Sequence, residues 1–182
     1  DPEQGGSVTP WNPDEGNGSA TTDPDDVDPT PGEAETKTVT TIDELIEAIA
    51  DISDGGIIYL DPTTPYYCNS LSTENVYTAK SITIEKSITL EGTSASNLAR
   101  INAKAIEIKG LDLNLTFRNI EYGGYTVDGE TGVPTETVSI TSQSYFIDIN
   151  TAGTVKNLTV ENCFVHGIYN GAIRANRAAD AL

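Results

Sequence analysis

Few residues in this chain could do chemistry, and they are scattered. His166 is the only histidine, with Tyr169 and Arg174 nearby in sequence. An imidazole moves protons near neutral pH, but it needs a carboxylate or nucleophile set against it. No such partner is adjacent in the chain, so a structural histidine is the plainer reading. Arg174 and Arg177 fit either binders of an acidic sugar or ordinary surface charges. Glu107 and Asp148 are the polar members of two matching short segments, Ile106-Glu107-Ile108 and Ile147-Asp148-Ile149. If those segments are equivalent strands, both carboxylates share one face, as a solvated charged surface or as the start of a calcium site. Hard cations take six or more oxygen ligands, and the sequence names two. The catalytic residues are unknown at this level, and no cofactor is evident beyond that calcium option.

The excursion from Glu121 to Thr141 is the best candidate for ligand contact, since long loops on a rigid scaffold often carry function. Tyr122 and Tyr125 would stack on sugar rings, while Asp128, Glu130 and Glu136 would accept hydrogen bonds from hydroxyls. A hairpin turning through Asp128-Gly129, with no ligand, fits the same residues. Cys68 and Cys163 are far apart in the chain and match no metal-binding spacing. They read as two unpaired buried thiols, or as a disulfide in an oxidising compartment. Asp23-Pro24-Asp25-Asp26-Val27-Asp28 lacks the Gly and closing Glu of a calcium loop and reads as a spacer.

The formal charge is -18. Residues 1–36 hold six of the nine prolines, no Lys or Arg, and only Val8, Trp11 and Val27 as large apolar side chains. Such a segment cannot bury enough surface to offset its backbone entropy, so it is expected to be a disordered acidic Pro/Gly-rich tether. The ten basic residues are dispersed, which argues against a nucleic-acid partner. No run approaches the roughly 20 apolar residues of a membrane span. A chain starting at Asp1 without Met reads as an exported, processed product. Membrane attachment would come only through an N-terminal lipid anchor outside this chain.

The elements that must position any site begin at Thr41-Ile42-Asp43-Glu44, a capping box. Ile42, Leu45, Ile46, Ile49 and Ile52 then form one helical stripe, stopped by Asp54-Gly55-Gly56. Strands follow at Ile57–Leu60, Ser81–Ile84, Ser87–Leu90, Arg100–Ala103 and Ala105–Ile108, several with period-two alternation. Asn114-Leu115-Thr116-Phe117-Arg118-Asn119 recurs further on as Asn157-Leu158-Thr159-Val160-Glu161-Asn162. Ile147-Asp148-Ile149 follows Ile106-Glu107-Ile108 at nearly the same interval. Shorter intervals separate Ile84 from Ile106, and Ile147 from a third copy starting at Ala172-Ile173-Arg174-Ala175. The shorter step is a basic coil of about 22 to 26 residues, and the longer one adds an excursion. A repeat of this kind, built from short strands, predicts stacked coils. Asn119 and Asn162 would then form an amide ladder, or each would simply end its strand at a turn.

A short helix, a β run, "KSITLEG", "AIEIKG" and the repeated "NLTxxN" together resemble the start of the pectin-lyase-like superfamily of right-handed parallel β-helices. The resemblance covers about residues 37–182. It implies an all-β fold: a right-handed parallel β-helix (solenoid) with a short N-terminal capping helix plugging its end, preceded by the tether. The tether resembles the stalks of outer-surface lipoproteins of glycan-degrading gut bacteria, many of unknown function. The chain stops at Leu182 inside a repeated coil, so the β-helix is expected to continue in a longer protein. The resemblance implies an exported protein, at the bacterial outer-membrane surface or extracellular, that binds or displays polysaccharide as an accessory to glycan uptake. Extracellular glycan and outer-membrane proteins are the implied partners. The alternatives are a polysaccharide lyase or glycoside hydrolase with catalytic coils beyond residue 182, and a structural or adhesive component of an outer-membrane assembly.

Overall fold

The computed structural model describes residues 33–123, 127–135, 145–149 and 152–175. Most of the expected tether therefore lies outside the described residues. The folded unit begins at Glu33, earlier than the expected boundary at residue 36. The reason is Glu35: its carboxylate accepts from Ser53 N (2.8 Å) and Ser53 Oγ (2.6 Å), and its carbonyl accepts from Ile57 N. The Ser53 hydroxyl and amide hold the Glu35 carboxyl below its ordinary range.

The chain opens with β1 (Thr36–Val39), α1 (Ile42–Asp51), β2 (Gly56–Leu60) and β3 (Tyr66–Tyr67). Then come β4 (Asn69–Leu71), β5 (Tyr77–Ala79), β6 (Ile82–Ile84), β7 (Ile88–Gly92), β8 (Ala99–Asn102) and β9 (Ile106–Ile108). The rest is β10 (Leu113–Arg118), β11 (Ile120–Gly123), β12 (Tyr145–Ile149), β13 (Val155–Glu161), β14 (Phe164–His166) and β15 (Gly171–Ala175). The class is all-β with one helix.

Apart from the antiparallel ribbon β4–β5, these strands form three parallel sheets. The first sheet runs β1-β2-β7-β10-β13, the second β14-β11-β8-β3, and the third β15-β12-β9-β6. From β6 onward the chain visits third, first and second sheet in unchanging rotation. Parallel neighbours require a crossover between them; α1 supplies it between β1 and β2, and each later crossover passes through the other two sheets.

Register explains the repeats. Asn114 to Arg118 pair with Asn157 to Glu161, and Ile147 sits between Ile106 and Ile173. The early step differs from the sequence expectation: Ile82, not Ile84, pairs with Ile106, which lengthens that step by two positions. Both isoleucines are apolar and lie on the same face of β6, so alternation alone cannot separate the two alignments.

Inward side chains line up in rows: Ile58, Leu90, Phe117 and Val160 in the first sheet; Ile82, Ile106, Ile147 and Ile173 in the third. Residues from all three sheets belong to one core. Phe146 of β12 meets Phe117 of β10 edge-on at 5.4 Å and Tyr122 of β11 at 4.9 Å. Each row opens at its last described strand, where Val160 and Ile173 are half exposed.

Helix α1 buries Leu45, Ala48 and Ile49 against this core. Ile46, counted in the sequence stripe, instead lies 41 % exposed. The helix ends at Asp51 with Ile52 in extended backbone. Lys86 Nζ then donates to Ala50 O (2.7 Å) and Ile52 O (2.8 Å), placing a cation on the free carbonyls. At the other end Thr41 Oγ1 accepts from Glu44 N (3.2 Å) and Glu44 Oε2 accepts from Thr40 N (2.7 Å) and Thr41 N (3.3 Å). Among the described residues no helix is long and apolar enough to cross a membrane.

The Thr40 amide and hydroxyl, and then the Thr41 groups, pull the Glu44 carboxyl below its ordinary value of 4.5. A depressed folded-state value means that this contribution is present above the unfolded value and lost as pH falls through the folded one. The cap on helix α1 should therefore weaken as pH falls below that ordinary value. Amide exchange at Leu45 to Ile49 would read this, and Glu44→Gln should flatten the response. Thr41→Ala should cost about 1 kcal/mol. Acid-independent exchange in the parent chain would rule the cap out.

Candidate functional site

The outward residues of the second sheet bring together what the chain keeps far apart. Register places Arg100, Glu121 and Phe164 side by side on β8, β11 and β14, with Asn102, Gly123 and His166 two residues along. Ile101, Tyr122 and Val165, between them, point inward. The alternation is the ordinary strand period, so the turns that set the register also choose which side chains meet.

Glu121 is the centre of the group. Its Oε1 lies 3.1 Å from His166 Nε2 and 3.5 Å from Arg100 Nε. With a carboxylate as acceptor, the imidazole donates through Nε2. The His166 ring stacks on Phe164 at 5.1 Å and 27°, yet Phe164 stays 57 % exposed. At Gly123 a side chain would run into the Asn102 amide; Asn102 fills that space, is buried, and donates to Gly123 O at 3.1 Å. Asn102 Oδ1 has no hydrogen-bond partner among the described residues.

The group offers an exposed aromatic platform, an ionic acceptor and two nitrogen cations or donors across three neighbouring strands. It can stack an apolar ring face and accept hydroxyl hydrogen bonds. It also contains a histidine oriented by a carboxylate, the geometry of an acid/base pair. Sequence reasoning missed this because Glu121 precedes His166 by 45 residues. The "NLT" repeat ending at Asn119 and Asn162 held the signal, since aligning it puts the residues that follow each Asn on neighbouring strands.

The residues expected to bind ligand fare differently. Tyr122 is not available to a sugar: it is fully buried, with its hydroxyl 2.8 Å from Ala103 O and 3.0 Å from Tyr145 O. Period-two alternation from Glu121 puts it inside. Tyr125 and Glu136 lie outside the described residues. Asp128 and Glu130 belong to a turn closed by the Val127–Pro134 bridge. Asp128 Oδ1 accepts from Glu130 N, Thr131 N and Thr131 Oγ1, and the bonds from Thr131 above all lower its pKa. The turn rests on the β4–β5 ribbon through Tyr77 N to Gly129 O and Asn69 Nδ2 to Gly132 O (2.7 Å). Asp128 is thus occupied in shaping the loop, and Glu130 is exposed.

Glu107 and Asp148 are register neighbours, but each faces a cation. Arg174 donates to Asp148 through Nε (2.7 Å) and Nη2 and lies over the Tyr145 ring at 4.3 Å; Lys109 sits 3.3 Å from Glu107. Two carboxylates already paired with Arg and Lys do not fit a calcium ion. Among the described residues no group of three or more His, Cys, Asp or Glu is arranged to hold a metal.

Asn119 Nδ2 donates to Gly92 O (3.1 Å), and Asn162 Nδ2 donates to Asn119 Oδ1 (2.9 Å). Both asparagines adopt left-handed backbone, φ 57 and 48, so they also serve as the turn residues. A second amide contact runs from Asn157 Nδ2 to Asn114 Oδ1 at 2.7 Å. The cysteines are unpaired; burial pushes the Cys68 thiol up to about 11 and raises that of Cys163.

Comparison of the chain with protein-family models, with curated proteins and with solved structures finds no match. What the chain does must therefore be read from the second-sheet group and its scaffold.

Proposed function

We propose that this chain forms a right-handed parallel β-helix, similar to the pectin-lyase-like superfamily, in an exported surface protein that binds or displays extracellular polysaccharide. Three parallel sheets visited in rotation around one core support the solenoid reading, and crossovers between parallel strands are overwhelmingly right-handed. The observation that carries the glycan reading is the exposed Phe164–His166 stack beside Glu121 and Arg100. An outward parallel sheet face suits an extended polymer, because its side-chain rows repeat about every 4.8 Å.

Affinity electrophoresis through gels containing soluble polysaccharides tests the reading. The chain should be retarded by at least one polymer without releasing product. Equal mobility in every gel would sink the proposal.

The His166–Glu121 pair favours a second reading, an enzyme acting on the same polymer. Release of unsaturated, ultraviolet-absorbing oligosaccharides, lost in His166→Ala, would establish a lyase in its place.

A further inference from the structure

We infer that the second-sheet face takes a polymer of uncharged sugars rather than a polyuronate; this rests on the glycan-binding reading above. The charge arrangement carries the inference. The central group of the row is an anion, Glu121, and the Arg100 guanidinium on that face is directed at it, 3.5 Å away. His166 is directed at the same carboxylate oxygen. A uronate laid across Phe164 would bring its own carboxylate toward Glu121, whose Oε1 already faces Arg100 Nε at 3.5 Å and His166 Nε2 at 3.1 Å. Like charges at such separations repel, more strongly at a protein surface than in bulk water.

The surrounding field works in the same direction. The chain carries a net charge of -18, which disfavours approach of any polyanion. In the first sheet Arg118 is likewise spent, between Glu91 (3.0 Å) and Glu161 (2.9 Å). In the third sheet Arg174 is bound to Asp148.

A neutral sugar meets complementary chemistry. Its apolar C–H face fits the exposed Phe164 ring, and its hydroxyls donate to the free lone pairs of Glu121 without displacing an ion pair. The ring platform is also held in place: Phe164 stacks on His166, and Glu121 fixes His166, so little side-chain entropy is lost on binding.

Titration calorimetry and affinity electrophoresis with a soluble neutral β-glucan and a galactomannan, against polygalacturonate and alginate, test the inference. A neutral polymer should bind most tightly. Phe164→Ala should weaken it about tenfold, and Phe164→Tyr should retain it. Circular dichroism should be unchanged in both variants, since the ring is exposed. Tighter binding of a polyuronate, or neutral binding indifferent to Phe164→Ala, overturns the inference and leaves the glycan reading standing. Failure to bind any polymer removes both.

Discussion

Truncating Phe117 to alanine should lower the stability of the folded unit by about 3–5 kcal/mol. The ring has no exposed surface and lies in the row between Leu90 and Val160. It also packs edge-on against Phe146, so one substitution opens a hole where the first and third sheets meet. Stacked strands cannot close such a hole without breaking the backbone hydrogen bonds that set their spacing, which keeps the cavity cost high. Urea unfolding followed by far-ultraviolet circular dichroism would measure it. Phe164→Ala, an aromatic truncation later in the chain, should change stability by less than about 0.5 kcal/mol because that ring is on the surface. Similar losses for the two variants would contradict the assignment of inward and outward rows.

Asn119→Ala should cost about 2–4 kcal/mol, from two separable sources. The residue holds left-handed backbone at φ 57, where an alanine Cβ crowds its own carbonyl. Its amide also donates to Gly92 O and accepts from Asn162, so removal leaves a buried carbonyl without its donor. Asn119→Gly should recover the backbone part alone and remain less stable than the parent. The close approach of the two residues can also be attacked from the other side: a methyl at Gly92 would run into the Asn119 backbone carbonyl, so Gly92→Ala should destabilise comparably. If Asn119→Gly matched the parent in urea unfolding, the amide ladder would be energetically idle and only the turn would matter.

These two residues are legible in the sequence to different degrees. Asn119 stands out because the "NLTxxN" string repeats, and in-register pairing turns identical strings into stacked identical residues. Its partner Gly92 does not, because that bond joins positions 27 residues apart with no shared motif. The helix cap is plain for a local reason: Thr41 and Glu44 are three residues apart and satisfy each other's backbone donors in any context. Lys86 on the end of α1 is invisible, because it reaches back to carbonyls far upstream in the chain.

The site shows the same division. In the sequence Glu121 is only the start of an excursion, and Tyr122 is its first aromatic. Nothing local marks the strand that continues through Gly123. Once β11 is paired on both sides, alternation sends Tyr122 inward and Glu121 outward beside Arg100 and toward His166.

By itself, the sequence determined what depends on short-range pattern: strands of period two, one capped helix, and a repeat that makes strands pair in parallel. Only the tertiary structure decided which rows align, which way each side chain faces, and hence that Arg100, Glu121, Phe164 and His166 form one group while Asp148 and Glu107 are consumed by ion pairs. The physical reason is that alternation leaves strand-to-strand register degenerate by steps of two. That degeneracy is lifted by turn geometry and by packing across all three sheets, which no local stretch of residues encodes.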